Sequence, residues 1–106
     1  MRLFFLFMFY NYFVYIVTNK YRTTLYIGVT NNIQNRISQH YFDSQNERKS
    51  FAGKYNCIFL VYFEGFENPK EAIAREKELK KWRREKKNSL ITSFNPKWEN
   101  LNNQIM

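Results

Sequence analysis

Residues 12–18 are aromatic or β-branched at every position, and after a mostly polar break over residues 19–24 the pattern returns with Leu25, Tyr26, Ile27 and Val29. Such side chains are restricted in a helix and pack well on a pleated surface, so both runs read as strands. The first has no polar face and is expected to be buried on both sides. Residues 19–24 read as the hairpin connection. Side chains alternate along the second strand, so Leu25, Ile27 and Val29 share one face and Tyr26 and Gly28 the other. A glycine inside a strand marks a bulge or a close approach by a ligand or another backbone.

Beyond the hairpin, Thr30 and Asn31 are suitable caps for a helix running to about Tyr41 or Asp43. On it Ile33 and Ile37 face the core, while Arg36 and His40, also four apart, share one edge. Residues 44–53 form a polar loop. Residues 55–63 are apolar at nearly every position and read as a third, central strand. Asn68 and Pro69 start a helix that runs to about Trp82 or Arg84, with Ala72, Ile73 and Leu79 as its apolar face. Glu76 falls between Ala72 and Ile73, on the inward stripe. A carboxylate there must pair with a cation, bind a metal or lie at the edge of the core facing a cleft. A further helix over residues 85–94 presents Leu90, Ile91 and Phe94, and Trp98 and Leu101 pack the tail back.

These elements make one domain of the 106 residues, which buries roughly 65% of its unfolded surface. The 20% aromatic content supplies the core. One cysteine, Cys57, excludes an internal disulfide and a cysteine zinc site, and fits a reducing, cytoplasmic setting. Residues 3–9 are apolar but too few to span a bilayer, and no small-residue cleavage pattern follows them. Residues 1–11 therefore read as an apolar extension, with Met8 an alternative start, and no membrane is expected as a partner.

The net charge of +8 attracts polyanions. It is concentrated between Arg75 and Lys87, where Lys77, Lys80, Lys81, Arg83 and Arg84 stand among three glutamates. Each candidate has an ordinary structural role open to it. Tyr15 and Tyr26 can be core tyrosines, His40 a packed histidine, Arg36 part of a solvated helix face, and Glu76 a salt-bridge partner of Arg36, Lys80 or another cation. Together they have the parts for phosphodiester hydrolysis: a cation for the developing charge, a group to deprotonate water and help for the leaving oxygen. Asp43 is the only aspartate and there is no acidic cluster, which argues against two metals. One divalent ion on Glu76, with water completing its shell, remains open.

Val14-Tyr15-Ile16, then Tyr26-Ile27-Gly28, then Arg36 and His40, resemble the GIY-YIG nuclease domain, in its small single-domain branch. The resemblance continues through Lys54-Tyr55-Asn56, Glu76 in its helix and Asn95-Pro96-Lys97-Trp98. It spans residues 12–101, leaving 102–106 as a tail. It implies an α+β fold, a small three-stranded antiparallel sheet flanked by helices, and an endonuclease cutting DNA, branched or damaged DNA included, with a role in repair. By position, Tyr15 and Tyr26 would orient or deprotonate water, Arg36 would contact the scissile phosphate, His40 would assist proton transfer, and Glu76 would hold Mg2+ or Mn2+. Gly28 and Asn95 would support the site, and Lys54 with the basic run would bind nucleic acid. Two positions depart from the family pattern: Phe13 replaces the first glycine, and Val29 stands where excision-repair nucleases carry a lysine. The same residues also suit a non-catalytic nucleic-acid-binding module, and the aromatic amino terminus suits a protein-interaction domain. A monomer or weak dimer is expected.

Overall fold

The computed structural model describes residues 10–45 and 55–105. The apolar extension before Tyr10, most of the polar loop and Lys54 lie outside them. Strands β1 (Tyr12–Thr18), β2 (Leu25–Thr30) and β3 (Phe59–Phe66) form one antiparallel sheet in the order β2-β1-β3. The central strand is thus β1, the run with no polar face, and not the third strand as its composition suggested. The connection between β1 and β2 is held by Asn19, whose Oδ1 accepts from Thr23 N at 2.8 Å and Thr24 N at 3.0 Å. That is the local amide capture expected of asparagine in turns.

Each face of the sheet carries its own core. On one, Phe13, Tyr15 and Val17 pack with Ile33 and Ile37 of helix α1 (Ile33–Gln45), with Cys57, and with Leu101 and Ile105 of the carboxy-terminal segment. On the other, Val14, Ile16 and Ile27 pack with Ala72 and Leu79 of α2 (Pro69–Lys81) and Ile91 of α3 (Arg84–Phe94). The cap of α1 is Asn32, one residue later than expected: its Oδ1 accepts from Asn35 N at 3.0 Å, while Thr30 Oγ1 accepts from Asn32 N at 3.0 Å. Asn68 caps α2 through Glu71 N at 2.9 Å, with Pro69 in the first turn. Ile73 is 41% exposed and does not belong to the inward face of α2. The inward stripe is Ala72, Arg75, Glu76 and Leu79, spaced as helix geometry requires, with two charged residues in its middle.

An edge strand presents unpaired backbone groups, and β3 solves this with the carboxy-terminal segment. Leu101 N donates to Leu60 O at 2.8 Å, and Asn102 bonds Leu60 N at 3.0 Å and Ile58 O at 2.8 Å. Within the residues read as a tail lies the short helix α4 (Asn102–Ile105), with Ile105 4% exposed. Between Ile16 and Val17 the β1–β3 register slips, leaving Val61 as a bulge. The bulge carbonyl is met by Asn95 Nδ2 at 3.1 Å, while the same side chain bonds Glu99 O at 2.8 Å and Glu99 N at 3.1 Å. Asn95→Ala breaks all three and strands a buried carbonyl, so urea unfolding should show a loss of about 2–4 kcal/mol. An unchanged midpoint would refute that assignment.

Candidate active site

Across β1 and β2, Tyr15 is opposite Gly28 and Val17 opposite Tyr26, so both tyrosines emerge on the face that α1 covers. Ile33 and Ile37, each 1% exposed, set the roll of α1. His40, three residues after Ile37, is then turned inward, and Arg36 stands on the adjoining exposed edge. Tyr15 Oη lies 2.8 Å from His40 Nε2. The ring centroids are 6.4 Å apart for Tyr15 and Tyr26, 5.6 Å for Tyr15 and His40, and 5.4 Å for Tyr26 and His40. Gly28 makes this possible: a Cβ there would land on the Tyr15 phenol. Its φ is not positive, so the position requires room and not a special backbone conformation.

Burial, reinforced by Tyr26 and Glu76 and opposed by Arg36, raises the Tyr15 phenol well above its ordinary pKa. It stays protonated at neutral pH. Arg36 and Glu76, carried by helices on opposite faces of the sheet, thus bear on the same hydroxyl. Burial and then the Arg36 charge push His40 down to about 4, with Asp43 opposing. The imidazole is neutral at pH 7, and its Nδ1 has no hydrogen-bond partner among the described residues. Orphaned buried N–H groups are rarer than under-satisfied acceptors, which favours the Nε2–H tautomer donating to Tyr15 Oη.

Beside these residues lies a cleft of about 430 Å3, lined by Tyr26, Thr30, Asn32, Arg36, His40 and Asp43 among others. Asn32 was not singled out from the sequence, and Thr30 and Asp43 were read only as a helix cap and as the only aspartate, not as site residues. Helical spacing held the signal, since Asn32, Arg36, His40 and Asp43 recur every three or four residues along one edge of α1. Glu76 is not among the residues lining this cleft: it sits on α2, its side chain 16% exposed and its Oε2 3.1 Å from Lys80 Nζ, and its charge acts on the Tyr15 hydroxyl more weakly than that of Arg36. Among the described residues no group of three His, Cys, Asp or Glu side chains could hold an ion. A lone carboxylate does fit Mg2+, which is commonly held by one or two carboxylates and completes its shell with water and substrate phosphate.

The remaining candidates are dispersed. Asn95 serves the β3 bulge, and β3 is separated from β2 by β1. Arg84 donates to Thr23 O at 3.0 Å and Arg22 O at 2.9 Å, tying α3 to the hairpin. Lys77, Lys81 and Arg83 are exposed on α2 and the turn after it.

His40 also makes the fold sensitive to acid. Its folded pKa of about 4 lies below the unfolded 6.5, so the unfolded chain binds the proton first as pH falls. The stabilisation held by the neutral ring is complete above 6.5 and is lost between 6.5 and 4, on the order of 3 kcal/mol. Denaturation of the wild type and His40→Gln across that window tests this: the wild type should have the steeper pH dependence, and equal slopes would refute it.

Residues 11–89 match the family model described as the GIY-YIG catalytic domain. The chain is 39% identical over 97 residues to a UPF0213 protein of Clostridium perfringens, covering 88% of this chain and 96% of that one. It is 34% identical over 80 residues to a UPF0213 protein of Staphylococcus haemolyticus, covering 76% and 93%. The solution NMR structure of a UPF0213 protein from Bacillus halodurans resembles it with a TM-score of 0.53 and 27% identity, over 84% of this chain and 90% of that one. The chain belongs to the GIY-YIG nuclease family. Among its described residues no helix is long and apolar enough to cross a membrane.

Proposed function

We propose that this protein is an endonuclease that hydrolyses DNA phosphodiester bonds, branched or damaged DNA included, with one divalent cation, Mg2+ or Mn2+, in the cytoplasm. The observation that carries the reading is the cleft that Tyr26, Arg36 and His40 line together, with His40 Nε2 2.8 Å from the buried Tyr15 hydroxyl. A phosphate in the cleft beside Arg36 meets a guanidinium suited to its oxygens. Tyr26, on the cleft wall, positions the attacking water. Tyr15, kept protonated, offers its proton as a hydrogen-bond donor rather than acting as a phenolate base. His40, neutral and a weak base, orients that phenol. Glu76 would hold the cation together with phosphate oxygens, and the bound ion would offset charge on the phosphate and its leaving oxygen.

A second reading, a module that binds nucleic acid without cutting it, is favoured by one observation: the Glu76 carboxylate is already paired with Lys80. Incubating the protein with end-labelled duplex, nicked, flap and branched DNA in Mg2+ or Mn2+ separates the two. Metal-dependent cutting of any of them supports the first. Salt-sensitive binding without cutting supports the second.

A further inference from the structure

The basic run of α2 is sorted around the helix in a way its sequence order conceals. At about 100° per residue, the surface outward from Glu76 carries first Lys80 and Ile73, then Lys77 and Lys70, then Lys81. The acidic residues keep to the other flank. There Glu78 pairs with Arg75 at 2.9 Å and Glu71 accepts from Asn68 Nδ2 at 3.1 Å. Several neighbouring cations are already committed. Arg75 is bonded to Glu64 at 3.0 Å, Arg84 to the hairpin carbonyls, and Lys86 lies 4.1 Å from the Trp82 ring centroid. Lys70, Lys77 and Lys81 are exposed, and none has a side-chain hydrogen bond or ion pair among the described residues. Between the first two, Pro69, Ile73 and Ala74 floor a shallow depression of about 530 Å3.

We infer that this flank of α2, marked by Lys70, Lys77 and Lys81, is the track along which a nucleic-acid strand runs away from the cleft. The inference rests on the nuclease reading for its starting point and adds the route of the substrate and the side chains that hold it. A strand with one phosphate near Glu76 must continue over a neighbouring surface, and this flank carries Lys80, Lys77, Lys70 and Lys81 in turn with no acidic residue among them. Lys70 and Lys81 are about 16 Å apart along the helix axis, a length matched by about five phosphates of one duplex strand. Lysine ammoniums on flexible stems suit phosphates without reading bases. Ile73, 41% exposed in the floor, offers apolar contact to the sugars. Lys70, outside the concentrated basic run, belongs to this surface, whereas Arg84 does not.

The test is equilibrium binding of a short fluorescein-labelled duplex, in EDTA so that nothing is cut. Lys70→Gln/Lys77→Gln/Lys81→Gln is compared with Lys20→Gln/Arg22→Gln/Lys97→Gln, which removes the same charge outside the basic run. The first triple should bind on the order of 100-fold more weakly at 0.1 M salt and lose about 2–3 from the log–log salt slope, with little change in the second. Equal losses in both would overturn the track in favour of net charge alone. Unaltered binding by the first triple would overturn it too, and would leave the stripe to an acidic protein partner. Because no cleavage is measured, a failure of the nuclease reading shows separately, in the activity of Glu76 variants.

Discussion

Glu76→Gln should abolish most cleavage while leaving the fold intact. The substitution keeps shape and volume and removes one negative charge. In the proposed site that charge holds the cation, and losing such a group lowers rates by about 100-fold or more. The structural penalty is small, because the ion pair given up is with Lys80, whose side chain is 50% exposed, and the glutamine amide fills the same partly buried place. Pairs of that kind contribute about 0–1 kcal/mol. Thermal melts of parent and variant should therefore nearly coincide while cleavage in Mg2+ collapses. Equal cutting by both proteins would sink the assignment of Glu76, and an inactive parent that still binds DNA would favour the binding module.

Gly28→Ala should be strongly damaging for the addition of a single methyl. The added Cβ falls on the Tyr15 ring, and Tyr15 is fully buried, hydrogen-bonded to His40 and in contact with Tyr26. With no open space for the ring to move into, the strain is that of overpacking, about 1–3 kcal/mol. The Tyr15–His40 bond is displaced with it, so activity should fall further than stability accounts for. Tyr15→Leu shortens the side chain and removes the atoms in conflict. Combined with Gly28→Ala, it should destabilise by clearly less than the two single changes added together. Strict additivity would show that the collision is relieved elsewhere.

Local structure was largely legible in the sequence. The bounds of β1, the alternation of β2, the inward Ile33 and Ile37 and the Asn68 cap all depend on a few neighbouring residues, and each was found as expected. Features set by distant parts of the chain were not. An unbroken apolar run reports that both faces of β3 are covered, but not whether its edges are paired. The edge is closed by Leu101 and Asn102, some forty residues on. Glu76 was seen to be misplaced on an apolar face, yet Ile73 was counted into that face and the true stripe runs through Arg75. Gly28 was read as room for a ligand or a backbone, whereas the room is taken by a side chain of the neighbouring strand. Asn95 carries no pattern of its own, because its role depends on a bulge that only the β1–β3 register creates.

Cys57 sits in the same core as Tyr15, Ile33 and Ile37, fully buried, with its thiol raised to about 11 by that burial. Thiol reagents attack the thiolate, which a native molecule neither forms at neutral pH nor exposes. Alkylation of this lone thiol is therefore gated by opening of the face on which the tyrosines and His40 are assembled. The chain carries its own clock for that event: the rate of labelling under native conditions measures how often the layer beneath α1 comes apart.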